Sequence, residues 1–200
     1  MPAHPGLTSG GAKVGVLALQ GPARLHAGCL AELGAAPVEV RSPGELTGID
    51  ALVIGGGEST TMSMLLDSSG IRSALEDRLA EGLPVLATCA GMILCSSEIV
   101  GGRPDQRGLA AIDLAVRRNA FGRQRESFEA DLAVRDMAGG PFPAVFIRAP
   151  VVDRTGDGVE VLATVEEGPV LCRSGPVLVS SFHPELSGDL RLHQLFLERI

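Results

Sequence analysis

PVLATCAGM, residues 84–92, sets a single cysteine between an apolar strand pattern and the start of a helical one. Residues 84–88 form a mostly apolar run, as expected of a strand buried on both faces. Ala90 and Gly91 are small, as a sharp turn with close helix–strand packing requires. Strand, tight turn and helix make the geometry of a nucleophile elbow. Its tip falls at the carboxyl end of a parallel sheet, where open α/β folds place their sites. A thiol at Cys89 then faces a helix N-terminus, which lowers its pKa and offers free backbone N–H groups. A free cysteine also serves as a small buried hydrophobe, and this segment alone leaves both roles open.

Working outward, strands and helices alternate. Residues 13–20 (KVGVLALQ) are a near-continuous apolar run, a buried strand. Residues 22–33 follow with Leu25, Cys29, Leu30 and Leu33 on one helical stripe, stopped by Gly34. Strands are expected at 37–41 and 51–54, helices at 59–67 and 71–80 (Ile71, Leu75 and Leu79 forming the buried stripe of the latter), and a further helix at 90–100. The character then changes. In 112–118, Ile112, Leu114 and Val116 alternate with Asp113, Ala115 and Arg117, and 128–134 alternates in the same way. Alternation means one wet face, hence edge or antiparallel strands. Strands at 144–148, 159–165, 169–173 and 177–182 follow, then a closing helix striped by Leu192, Leu195, Phe196 and Ile200. The sum is an α/β fold with a mostly parallel central sheet and an added antiparallel section.

The 200 residues suit a single domain over 13–200 behind a flexible Pro/Gly/Ser-rich tail at 1–12. With 45% hydrophobic and 20% charged residues the chain can bury a substantial core. A net charge of −7 argues against nucleic acid and anionic membranes as partners. Apolar runs are too short to span a bilayer, and residues 1–12 show neither the basic nor the apolar region of a secretory signal. Cys29, Cys89, Cys95 and Cys172 form neither a disulfide framework nor a zinc pair, which fits a reduced, cytoplasmic setting.

Three further features carry chemistry. The strand at 177–182 ends in His183-Pro184-Glu185. Residues two apart on an extended chain share a side, and Pro184 stiffens the link, so Glu185 is placed to fix the imidazole tautomer that accepts a thiol proton. His4 lies in the tail, and His26 and His193 sit on helices near charged residues. No second His or Cys stands at ligand spacing from His183, so no metal is expected. Gly55-Gly56-Gly57-Glu58-Ser59 follows a strand. It lacks the lysine of a P-loop and the spacing of a dinucleotide fingerprint. Its N–H groups suit an oxyanion and Glu58 suits an ammonium group, although an ordinary turn with Ser59 as helix cap would look the same. In the basic cluster of Arg117, Arg118, Arg123 and Arg125, strand parity puts Arg118 on the inner face, where it needs an anion such as a substrate carboxylate.

Together these residues resemble the class I (triad) glutamine amidotransferases and, among them, the glutaminase subunits of pyridoxal 5′-phosphate synthases. The resemblance runs from about residue 13 to 200, on VLALQG (16–21), GGEST (56–60), TCAGM (88–92), RNAFGRQRESFEADL (118–132), FIRAP (146–150) and SFHPEL (181–186). It implies a three-layer, flavodoxin-like fold and hydrolysis of L-glutamine to glutamate and ammonia through a γ-glutamyl thioester. It assigns Cys89 as nucleophile, His183 as base and Glu185 as its orienter. Gly57, Glu58 and Ser59, with Arg118, Ile147 and Arg148, match the glutamine-binding residues, and the N–H groups of Gly57 and Ala90 match the oxyanion hole. No cofactor is implied. The implied partner is the synthase subunit that consumes the ammonia. Gly55 stands where such chains usually have Pro, Ala87 where they have Gly and Ala120 where Ser is common. The first two bear on loop rigidity at the oxyanion hole; none removes a reacting group. The alternatives are a glutaminase for another synthase and a non-catalytic binding subunit.

Overall fold

The computed structural model describes residues 11–118 and 127–200. The tail expected through residue 12 therefore lies outside the described residues up to residue 10. So do 119–126, with Ala120, Arg123 and Arg125.

The first half is built of β1 (Lys13–Leu17), α1 (Ala23–Glu32), β2 (Ala36–Val40), β3 (Ala51–Ile54), α2 (Ser59–Ser68), α3 (Ile71–Ala80), β4 (Val85–Thr88) and α4 (Ala90–Cys95). The second holds β5 (Ser96–Val100), β6 (Ile112–Arg117), β7 (Ser127–Leu132), β8 (Phe142–Ile147), β9 (Val151–Thr155), β10 (Glu160–Val165), β11 (Gly168–Ser174), β12 (Val177–Ser180) and α5 (Arg191–Leu197). Seven strands form the central sheet in the order β10-β11-β12-β4-β3-β1-β2. From β12 to β2 every pairing is parallel, while β10 and β11 extend one edge antiparallel.

The buried runs read from the sequence serve two cores at once, because successive side chains of a strand leave opposite faces. Val14, Val16, Val53, Leu86 and Leu178 enter one core with Leu30 of α1 and Leu192 and Phe196 of α5. Leu17, Leu52, Ile54, Val85, Ala87 and Val179 enter the other with residues of α2, α3 and α4. Helices thus cover both faces, giving three layers. A smaller sheet, β5-β6-β9, extends the second core through Ile112, Leu114, Val116 and Val152. The β7–β8 pair extends the first, with Phe128 stacked on Phe146 at 4.5 Å between ring centroids.

Four expectations change. The helix expected at 90–100 ends at Cys95, and Ser96–Val100 is a strand parallel to β6. Every residue of α4 is buried, so no amphipathic period marks where it stops. Ser96 Oγ donates to Ile93 O at 2.7 Å, and the chain turns extended there. Second, β9 has no sequence signal. Val151 and Val152 are adjacent and followed by Asp153-Arg154, so no period of two shows. Its pairing with β6 defines it, with Arg154 on Asp113 (2.9 Å) and Arg117 on Asp153 (2.8 Å) across the two strands. Third, the buried stripe of α1 is Ala23, His26 and Leu30, while Leu25 is 44% exposed. The stripe is turned by one residue because Ala23 and His26 face the interior beneath the sheet's carboxyl end. Fourth, Ala115 is buried on the side expected to be wet, and Ile200 at the chain end is exposed.

Among the described residues no helix is long and apolar enough to cross a membrane. None of their His, Cys, Asp and Glu side chains gather in a group of three or more that could hold a metal ion.

Candidate active site

The sheet places the site. β4 and β12 are adjacent and parallel, with Thr88 opposite Ser180. Cys89 is the residue after β4, and its N–H donates to Ser180 O at 2.8 Å. Its φ of 51° and ψ of −106° lie outside the regions a non-glycine residue ordinarily adopts. The turn is therefore strained, as an elbow that lifts its tip residue out of the sheet must be. Gly91 lets α4 sit hard against β3, since a Cβ there would run into the carbonyl oxygen of Ile54.

His183 leaves β12 three residues on, and its N–H is anchored to Val145 O of β8 at 2.8 Å. Pro184, Glu185 and Leu186 then form a single 3-10 turn. The turn brings Glu185 Oε1 to 2.8 Å from His183 Nδ1. An ionised carboxylate accepts only, so Nδ1 carries a proton and Nε2 is left to exchange the second one. Burial lowers the His183 pKa, but hydrogen bonds and charge from Cys89 and Glu185 override it and raise the value to about 10. The protonated form of His183 is thus favoured at this site. Burial raises the Glu185 pKa, and the hydrogen bond from His183, helped by the neighbouring imidazoles, outweighs it, so the carboxyl is held below its ordinary value. Cys95 and Cys172, by contrast, are pushed up to about 12 by burial alone and remain inert thiols.

The glycine loop lies directly on this pair. A Cβ at Gly56 would meet His183 Cε1 at 2.5 Å and Cys89 Cβ at 3.5 Å. Gly57 packs instead against Gln20 and Met62. Glu58, not Ser59, is the N-cap of α2, its carboxylate accepting from the N–H groups of Thr60 (3.2 Å) and Thr61 (2.7 Å). Burial is the largest single effect and raises its pKa, but the hydrogen bonds from Thr61 and Thr60 together more than reverse this, bringing it to about 2. Ser59 is buried and its Oγ accepts from Gln106 Nε2 at 3.0 Å.

Arg118 reaches this loop, in line with its strand parity. It meets an internal anion there, with Nη2 2.9 Å from Glu58 Oε1 and Nη1 3.0 Å from both Thr60 Oγ1 and Gln106 Oε1. Ile147 lies on the other side of the thiol, its carbonyl 3.9 Å from Cys89 Sγ. Arg148, just past β8, is exposed with φ of 44°. The structure therefore gathers Cys89, His183, Glu185, Gly56 and Ile147 tightly, with Glu58, Ser59 and Arg118 as a linked group beside them.

Four further residues of this region escape the sequence reading. Gln20 ends the VLALQG run with Gly21 and accepts the Glu58 N–H at 2.8 Å. Gln106 has no local signal. His26 and His193 are not surface histidines of their helices but are both fully buried. His26 stands four residues before Leu30, on the same helical face, and that spacing is the available signal.

Known proteins are similar to this chain over most of its length. The profile of the SNO glutamine amidotransferase family matches residues 16–200. The pyridoxal 5′-phosphate synthase subunit PdxT of Salinispora arenicola is 55% identical over 192 residues, covering 94% of this chain and 96% of that protein. PdxT of Frankia casuarinae is 54% identical over 190 residues, covering 95% and 96%. A crystal structure described as a glutamine amidotransferase superposes with a TM-score of 0.87 at 53% identity, covering 92% of this chain and 97% of that one. A chain of the PurLQS structure from Thermotoga maritima shares the fold alone, with a TM-score of 0.65 at 15% identity and coverage of 94% and 98%.

Proposed function

This chain belongs to the SNO glutamine amidotransferase family, and from that premise we propose that it hydrolyses L-glutamine and delivers the ammonia to the synthase subunit of a pyridoxal 5′-phosphate synthase. The observation that carries the reading is the juxtaposition of Cys89, His183 and Glu185 at the carboxyl ends of two adjacent parallel strands. The PdxT names of its relatives supply the acceptor pathway.

The Cys89 thiolate attacks the side-chain amide carbon of glutamine, forming a C–S bond as the carbonyl oxygen takes the negative charge. Backbone N–H groups of Gly57 and Ala90 hold that oxyanion, each donor lowering the barrier by about 3 kcal/mol. His183, protonated by the thiol, gives its proton to the departing amine as the C–N bond breaks, releasing ammonia. Water, deprotonated by His183, then attacks the γ-glutamyl thioester and frees glutamate with the thiol. Glu185 holds the imidazole in the tautomer both steps use. Glu58, Ser59, Arg118, Ile147 and Arg148 bind the rest of the substrate, Arg118 taking its α-carboxylate. Ammonia that escapes into water at neutral pH is protonated and lost as a nucleophile, so a synthase partner that takes it up directly is physically expected.

The test is glutamate release from glutamine with and without the pyridoxal phosphate synthase subunit of the same genome. Release strongly stimulated by that subunit, and abolished in C89A, is expected. Release indifferent to the partner would move the chain to another acceptor, and substantial activity in C89A would overturn the nucleophile.

A further inference from the structure

Behind Glu185 the interior holds two more histidines. His26 of α1 and His193 of α5 are each 0% exposed. His26 Nδ1 lies 3.0 Å from His193 Nε2. On its other edge His26 Nε2 lies 3.4 Å from Glu185 Oε2 and 3.3 Å from Thr88 Oγ1. The backbone of Gly55 holds the ring from a third side, since a Cβ there would be 3.1 Å from Cδ2 and 3.2 Å from Nε2. Two buried atoms in this cluster have no hydrogen bond of ordinary geometry among the described residues: Glu185 Oε2 and His193 Nδ1.

These two atoms decide where the protons are. If His26 carried its proton on Nδ1, it would donate to His193 Nε2. His193 would then bury an N–H at Nδ1 with no acceptor, and His26 would turn a lone pair toward a carboxylate oxygen, with the Thr88 hydroxyl as its one donor. Both arrangements are costly. With the proton of each ring on Nε2, His193 donates to His26 Nδ1 and His26 points its N–H toward Glu185 Oε2 and Thr88. The atom left over is then a neutral lone pair at His193 Nδ1.

We infer that His26 is a positioning residue for the triad: as the Nε2–H tautomer, ordered by His193, it engages the second oxygen of Glu185 and fixes the carboxylate that orients His183. The inference rests on the proposed glutaminase reading for its kinetic meaning. Glu185 then takes the His183 Nδ1–H on Oε1 at 2.8 Å and faces the His26 Nε2–H from Oε2 across a longer 3.4 Å, which limits rotation of its plane. Desolvation by burial depresses the pKa values of both His26 and His193, in keeping with two neutral rings. Two helices remote in sequence thereby fix the geometry of a turn that neither contains.

The test compares wild type, H26L and H26Q in the complex with the synthase subunit, H26Q keeping a side-chain N–H donor. The titratable groups around Glu185 are His26 and Cys29 of α1, His193 of α5 and His183 of its own turn. H26L is expected to lower kcat for glutamate release by about tenfold to a hundredfold, the scale of one hydrogen bond to a buried charge, with KM for glutamine unchanged. The acid limb of its kcat/KM profile should move to higher pH, because Glu185 loses a donor that favours its ionised form. H26Q should restore most of kcat and return the limb. Histidine 15N shifts of the isolated chain should report Nε2–H at His26, a readout independent of turnover and of whether H26L folds. Wild-type kcat in H26L, equal impairment in both variants with an unmoved acid limb, or an Nδ1–H tautomer would each overturn the inference. A wild-type complex that releases no glutamate would overturn the glutaminase reading instead, leaving the tautomer to judge this one.

Discussion

Glu58 and Arg118, sixty residues apart, form an ion pair at 2.9 Å on the rim of the site. Each is held from behind: Glu58 by the first-turn N–H groups of α2, Arg118 by Thr60 and Gln106. The pair presents a cation that is only 19% exposed and whose direction is already fixed. A bound α-carboxylate would share Arg118 with Glu58, and an α-ammonium would sit on the carboxylate. Replacing Arg118 by Leu is expected to raise KM for glutamine by about tenfold to a hundredfold, the scale of a charge-assisted hydrogen bond, with kcat changed far less. Steady-state glutamate release in the complex checks this; a fall in kcat at constant KM would contradict it.

Gly56 leaves no room for a side chain. Its Cβ would stand 2.5 Å from His183 Cε1, so in G56A the imidazole must move. Displacement of a reacting group by about 1 Å costs on the order of a hundredfold in rate. G56A should therefore lose about two orders of magnitude in kcat/KM while keeping a cooperative melt. Near-normal turnover would show that His183 can retreat without losing Cys89.

Gly91 and Gly28 make opposite predictions from the same kind of residue. At Gly91 a methyl group meets the Ile54 carbonyl, a backbone atom that cannot rotate away. G91A should cost about 3 kcal/mol, at the upper end of overpacking, seen as a lower urea midpoint at unchanged slope. Gly28 lies exposed within α1 with nothing within 4 Å of its Cβ position. G28A should raise stability by about 0.5–1 kcal/mol through helix propensity.

The buried His pair gives the protein an acid limit. Burial, reinforced by His26, holds the folded His193 pKa at about 4 against an ordinary 6.5. A depressed folded value means the unfolded chain binds the proton first. The contribution is therefore complete above pH 6.5 and declines as pH falls toward 4. The depressed value of His26 acts in the same sense. Between pH 7 and pH 5 the His193 contribution should fall by roughly 2 kcal/mol. Urea unfolding of wild type and H193L at the two pH values checks it, with a shallower pH dependence expected in the variant.

The parallel sheet was legible because its strands are buried on both faces and so read as unbroken apolar runs: KVGVL, ALVI, VLAT and VLVS stand out without any partner. The elbow was legible because its chemistry is local: Cys89 takes its strained backbone and its helix N-terminus from its immediate neighbours. His183 and Glu185 were legible for the same reason, two residues apart across a proline. Arg118 was placed by parity, which is local too, but its partner Glu58 was not.

Position along the chain therefore settled the elements, the nucleophile turn and the His-Pro-Glu unit, all governed by contacts within a few residues. The three-dimensional fold alone settled which groups face one another across the chain: Thr88 beside Ser180, Gly56 against His183, Arg118 on Glu58, and His26 between Glu185 and His193. The end of α4 at Cys95 and the strand β9 belong with these. A segment wholly buried, or one defined by its pairing partner, carries no period of its own. Hydrogen bonds between residues 167 apart, as in the His26–His193 pair, leave no periodic trace in either segment. They exist only because the sheet brings both helices to the same face.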